Sequence, residues 1–273
     1  MRGRILAAAA AAALAFTGLS AAPAHAADNA ELSVLHGVPD LTVDVYVNGE
    51  RTLNNFKPGS LAGPLSLPAG TYEVAITAAD AEDDSDPAIG PVDLDLEAGK
   101  NYTAVAHLEE NGDPTATLFT NDTSKTEAGQ GRLTVRHVAA APAVDVLAGG
   151  DAVVEDLSNP DEATLDLDAG TIEASVAAAG TTDPVLGPAD VTVEEGALTI
   201  AYAWGSLEDD NLALATQTVS GLHSGPGGVH SGEAGLAATS GALAPLAALV
   251  VAAAAFLLVS RRTRLSTGTA GRR

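Results

Sequence analysis

The sequence has no cysteine, one methionine and one tryptophan, and only 3% of its 273 residues are aromatic. Without thiols there is neither a disulfide framework nor a thiolate metal site, so an exported fold must hold by packing and hydrogen bonding alone. Phe16 and Phe256 lie in apolar segments near the termini, which leaves Tyr46, Phe56, Tyr72, Tyr102, Phe119, Tyr202 and Trp204 for the body of the chain. Most of these fall where a strand needs a core residue, leaving little for a sugar-stacking platform. Positive charge is also scarce. Of 13 basic residues, seven lie in the first 26 or the last 13 positions, so six face all 36 acidic residues in between, a net charge of −30. Such a surface repels nucleic acid and anionic lipid, and nucleic-acid binding is excluded. Enzyme signatures are missing as well: there is no G-x-S-x-G elbow, H-E-x-x-H, phosphate-binding glycine loop or dinucleotide fingerprint. The expectation is a protein that is not an enzyme and carries no cofactor.

The two ends carry addresses. Arg2 and Arg4 precede a mostly apolar stretch from Ile5 to Leu19, and Ala24-His25-Ala26 supplies a small-x-small cleavage site. This pattern predicts a signal peptide over 1–26, cut between Ala26 and Ala27. Near the other end, the apolar run from Ala242 to Val259 has 18 residues. At about 1.5 Å per residue it reaches about 27 Å, enough to cross a thin hydrocarbon core, which predicts a transmembrane helix over 242–260. Arg261, Arg262, Arg264, Arg272 and Arg273 follow with no acidic residue, marking 261–273 as a cytoplasmic tail. The chain is therefore expected at the cell surface, with its bulk outside. Residues 223–241 are rich in glycine and serine and read as a flexible stalk.

Between the termini the chain repeats itself. Leu32-Ser-Val-Leu-His36 matches Leu133-Thr-Val-Arg-His137, and Val43-Asp44-Val45 matches Val144-Asp145-Val146, both at an offset of 101. Leu67-Pro-Ala-Gly-Thr-Tyr-Glu73 matches Leu167-Asp-Ala-Gly-Thr-Ile-Glu173 at an offset of 100, and Asp86-Pro-Ala-Ile-Gly-Pro91 matches Asp183-Pro-Val-Leu-Gly-Pro188 at 97. A slipping offset is the mark of a duplication with loop deletions. Thr42 to Val47 alternates polar and apolar residues, and Asn48-Gly49 (Gly149-Gly150 in the second copy) suits a tight hairpin. Further strands are predicted over 70–77, 92–97, 101–108 and 115–120. About seven short strands per copy predict an all-β chain of two tandem Ig-like or Greek-key β-sandwich modules over 27–126 and 127–222.

Residues 32–49, 67–72 and 97–103 together resemble a secreted bacterial family known as domain of unknown function 4397, and the resemblance extends over roughly 32–219. It implies β-sandwich modules, often in tandem, on exported proteins of high-GC Gram-positive bacteria, and brings no activity with it. The second copy departs from the pattern at Ala140-Ala141, Leu147 and Ala197, where the first has Pro39-Asp40, Tyr46 and Lys100. Leu236-Ala237-Ala238-Thr239-Ser240 is similar to the sorting pentapeptide of class E sortases, with Ser240 in place of glycine. Two outcomes stay open: sortase attachment to the cell wall, or retention as a single-pass membrane protein.

Two sets of residues invite a chemical reading. His36 and His137 each precede an aspartate, Asp44 or Asp145, by eight positions. They read either as a metal or acid–base pair, or as strand histidines bonded to a neighbouring loop, and the second is favoured because no third ligand type clusters nearby. The acidic run Asp80, Glu82, Asp83, Asp84 and Asp86 offers oxygens to calcium but lacks the ordered spacing of an EF-hand, so a solvated loop is favoured. The functional expectation is a structural or interaction protein, an adhesin or spacer with an unknown protein partner. The alternative is an extracellular module for a divalent cation or small ligand.

Overall fold

The computed structural model describes residues 29–224. The signal peptide, the sorting motif at 236–240, the 242–260 segment and the basic tail lie outside the described residues, as does the stalk beyond 224. Among the described residues no helix is long and apolar enough to cross a membrane.

The strands of the first half are β1 (Ala30–His36), β2 (Val43–Val47), β3 (Glu50–Phe56), β4 (Leu61–Leu67), β5 (Gly70–Ala78), β6 (Ile89–Leu96), β7 (Asn101–Leu108) and β8 (Pro114–Asn121). The second half repeats them as β9 (Gln130–Ala140), β10 (Val144–Ala148), β11 (Asp151–Leu157), β12 (Glu162–Asp168), β13 (Gly170–Ala178), β14 (Pro184–Val193), β15 (Ala197–Ser206) and β16 (Ala213–Ser220). They form two pairs of four-stranded sheets. The first pair has the orders β4-β1-β7-β8 and β3-β2-β5-β6, and the second β12-β9-β15-β16 and β11-β10-β13-β14. β1 runs parallel to β7, and β9 parallel to β15; every other pairing is antiparallel.

Eight strands stand in each half where about seven were expected. The ranges that periodicity marked as strands include neither β3 nor β4. β3 reads Glu-Arg-Thr-Leu-Asn-Asn-Phe and is exposed at most positions, so it has no apolar face to announce it. β4 contains Gly63-Pro64, which only an edge strand tolerates. The hairpins were legible: Asn48 (φ 51°) and Gly49 (φ 75°) turn β2 into β3, and Gly149 (φ 59°) and Gly150 (φ 94°) do the same for β10 and β11. The repeated Gly-Pro motif also has a cause. Gly90 (φ +94°) lies where the β5–β6 register slips, and a Cβ there would sit 2.6 Å from the Val74 carbonyl. Gly187 (φ +93°) repeats this at 2.9 Å from the Ala174 carbonyl, so both backbone conformation and close approach demand glycine.

Three apolar clusters hold the strands. Leu32, Val43, Val45, Ile76 and Leu94 belong to one between the sheets of the first pair, and Leu133, Val135, Val146, Val176 and Val191 to the second pair's equivalent. The third joins the pairs: Leu35, Val105 and Phe119 of the first meet Val138, Leu198, Ile200 and Tyr202 of the second. Sheets β4-β1-β7-β8 and β12-β9-β15-β16 are therefore covered on both faces. This explains why β7, β9 and β15 are buried at nearly every position. Among the described residues the three clusters are built from residues 30–222, so residues 27–224 carry cores of their own and meet a condition for folding independently.

Candidate functional site

The repeated histidines brace loops. His36 is 1% exposed, and its Nε2–H donates to the Leu41 carbonyl at 2.6 Å. His137, also 1% exposed, makes the equivalent bond to the Pro142 carbonyl at 3.1 Å. The ring of His36 stacks on Phe56 with centroids 5.9 Å apart. The aspartates eight residues on do a separate job. Asp44 accepts from the Asn55 amide at 2.7 Å and from the Arg51 guanidinium at 3.0 Å. Asp145 accepts from the amides of Asp156 at 2.9 Å and Gly180 at 2.8 Å. Asn55 and Asp156 both have left-handed backbones, with φ of 52° and 56°. Each buried carboxylate thus pins an irregular edge strand by its amide, the strong charge-assisted kind of hydrogen bond. Neither histidine bonds its aspartate.

The acidic loop keeps its carboxylates apart. Asp83 accepts from the amide (3.0 Å) and hydroxyl (2.6 Å) of Ser85, and these bonds hold its pKa below the ordinary carboxylate value. Asp80, Glu82 and Asp86 are exposed, and Asp84 is half-buried. Among the described residues, no three histidine, aspartate or glutamate side chains converge where they would hold a metal ion.

What the structure brings together is a polar network at the seam between the sheet pairs. Arg136 on β9 is 1% exposed. Its Nε donates to Glu162 at 2.7 Å, one terminal nitrogen to the Tyr202 hydroxyl at 3.0 Å and the other to Asn121 Oδ1 at 2.8 Å. The guanidinium lies over the Phe119 ring, 4.2 Å from its centroid, a stacking worth about 1–2 kcal/mol when desolvated. Tyr202 donates onward to Gln217 Oε1 at 2.6 Å, which also accepts from Thr103 at 3.0 Å. Burial raises the Tyr202 pKa and the nearby Arg136 charge partly opposes it, so the phenol stays protonated and keeps donating. Arg132 makes a second clamp. It binds Asp166 on β12 through Nε at 2.8 Å, and reaches the segment joining the two halves through Ser124 Oγ at 2.8 Å and Asp122 Oδ2 at 3.0 Å. Asn159 completes the seam, donating to the carbonyls of Leu108 at 2.8 Å and Ala139 at 2.6 Å.

Sequence reading missed this network, although one signal was there. By strand register, Leu35, Val105 and Phe119 of the first half correspond to Arg136, Tyr202 and Gln217 of the second. The halves are both apolar on the faces turned toward their own cores and differ in polarity on the faces turned toward each other. Three positions that are apolar in the first half are polar in the second, and Asn121 and Thr103 of the first half supply partners to them. The arrangement contains no nucleophile paired with a base and works as a structural joint.

Two histidines, His107 and His137, bear on acid stability at this seam. His107 donates through Nδ1 to the Leu108 carbonyl at 2.9 Å and pairs through Nε2 with Thr117 at 2.9 Å. Burial lowers the pKa of His107 and of His137, partly offset by their bonds to backbone carbonyls; each also feels nearby carboxylates, Glu109 for His107, Glu110 and Asp161 for His137. With folded pKa values below the unfolded value of about 6.5, their stabilisation is fully present above that pH and falls as the pH drops toward the folded values. Urea midpoints of residues 27–224 at pH 7.5 and pH 5 should therefore drop more for the wild type than for a His107→Asn, His137→Asn variant. Equal drops would remove the histidines from the account.

Residues 30–147 match the family model described as Domain of unknown function (DUF4397). The match takes in the whole first sheet pair, β9 and nearly all of β10. A comparison with curated proteins gave no match.

Proposed function

We infer that this chain is an exported, surface-anchored protein with a structural or interaction role and no catalytic activity. In this reading each sheet pair is one sandwich module of the Ig-like, Greek-key class, and the second is a diverged copy of the first. The two stand on the 223–241 stalk above a single-pass membrane segment or, after sortase cleavage, on the cell wall. The observation that carries the reading is the seam. A buried arginine tied to three partners and stacked on an aromatic ring joins the halves into one body, which suits a spacer or a platform for a protein partner. A net charge of −30 between the terminal segments keeps such a body away from anionic polymers and nucleic acid.

Cell fractionation tests it. Release by muramidase, with the chain ending at Thr239 and carrying a wall fragment, supports sorting despite Ser240. Release by detergent alone, with Arg273 retained, supports a membrane anchor. Recovery from the cytosol with residues 1–26 intact contradicts the proposal. The cation-binding alternative predicts heat and thermal stabilisation when residues 27–224 are titrated with calcium, and the spacer reading predicts neither.

A further inference from the structure

Each sheet pair encloses an apolar cavity at the same place between its two sheets, with a volume of about 120 Å³ in the first pair and about 130 Å³ in the second. The walls of the two cavities differ, yet the volumes agree. By strand register Val47, Tyr72, Val74, Val92 and Leu94 of the first correspond to the smaller Ala148, Ile172, Ala174, Ala189 and Val191 of the second, while Ala116 corresponds to the larger Leu214. Substitutions of opposite sign have preserved an empty space that either set of losses alone would enlarge and either set of gains alone would fill. A packing defect inherited by chance has no reason to hold its size through such changes, since a core gains stability by filling voids.

The space also has a way in. Leu65 lines the first cavity from edge strand β4 and is 37% exposed; Val153 lines the second from edge strand β11 and is 45% exposed. β3 and β4 are edges of opposite sheets, as are β11 and β12, so each sandwich is open along the same side. The scarcity of aromatic residues accounts for the room: Tyr72 is the one aromatic on the first wall and there is none on the second. Carbon atoms make nearly all of both walls, with no charged side chain among them. Such a wall discriminates against charge and against groups that need hydrogen bonds, because burying either without a partner is costly. An apolar cavity of about 150 Å³ takes benzene or xenon.

We propose that each sheet pair binds one small, uncharged, nonpolar molecule, aromatic or aliphatic and about the size of benzene, admitted at the Leu65 edge of the first pair and the Val153 edge of the second. The proposal is independent of where the protein resides. Benzene and xenon are the probes, with residues 27–224 in detergent-free buffer. The wild type should bind two benzenes by calorimetric titration and show two bound xenon resonances, and saturating benzene should raise its melting temperature by a few degrees. The chain itself supplies the filling variants: Ala116→Leu puts the second half's residue into the first cavity, and Ala174→Val puts the first half's residue into the second. Each should reduce the stoichiometry from two to one, and both together should abolish binding. Xenon resonances of the untouched cavity show that a variant is folded. No benzene binding by the wild type, or binding unchanged in the double variant, would overturn the proposal.

Discussion

Replacing Arg136 by alanine should lower the unfolding free energy of residues 27–224 by about 3–5 kcal/mol, the cost of removing one partner from a buried ionic cluster. Glu162 is the partner best able to recover, since its side chain is 37% exposed and water can reach it. Asn121 and Tyr202 are buried and lose their bond to the guanidinium with no solvent to replace it. Phe119 loses the cation stacked on its face. Arg136→Leu is the informative companion. It installs the residue that the first half carries at the equivalent position, Leu35, and refills most of the volume. Buried ionic clusters replaced by apolar residues often lose little stability, so its cost should be less than half that of alanine. Urea unfolding followed by far-UV circular dichroism measures both. Equal costs would mean that the residue's hydrogen bonds and not its volume hold the seam.

Trp204→Ala should cost about 3 kcal/mol, the lower end of the range for truncating a large aromatic, because Trp204 is half-buried. The indole crosses from the second sheet pair to the first. A Cβ placed on Gly59 would lie 2.9 Å from its Cζ2, and one on Gly37 would lie 3.3 Å from the Trp204 Cβ. Its Nε1 is buried without a hydrogen-bond partner, so the loss is one of packing. Trp204 is the only tryptophan in the chain, so wild-type fluorescence reports on the seam directly. In the wild type, its red shift in urea should coincide with the loss of β-signal. A fluorescence change at lower urea would mean that the halves part before they unfold.

Local features were more legible than the joint. Asn48-Gly49 announced its hairpin, and the alternation from Thr42 to Val47 placed Val43 and Val45 correctly in the first core. Asp44 and Tyr46, on the other face of that strand, are buried as well, and Asn54 and Asn55 of β3 bond the Asp44 carboxylate. The absence of a third ligand type beside the histidines favoured a loop contact, and both histidines bond a carbonyl five residues on. The seam escaped because its members are distant in sequence and polar in one copy only. Its clearest trace was the continuous burial-compatible runs Ala104–Leu108 and Leu198–Ala203. Near-continuous apolar stretches of strand length, broken here by His107 and Thr199, are what a sheet covered on both faces calls for. The twin cavities were illegible for a different reason: their size depends on compensating residues across the sandwich, which only strand register aligns.

The central claim is that the two halves form a single body and not two beads on a string. Differential scanning calorimetry of residues 27–224 tests it most directly. The account predicts one transition whose calorimetric and van't Hoff enthalpies agree, because the shared cluster and the Arg136 network make each half's folding depend on the other. Two resolved transitions, or an isolated 127–222 fragment that melts at the same temperature as the whole, would contradict it.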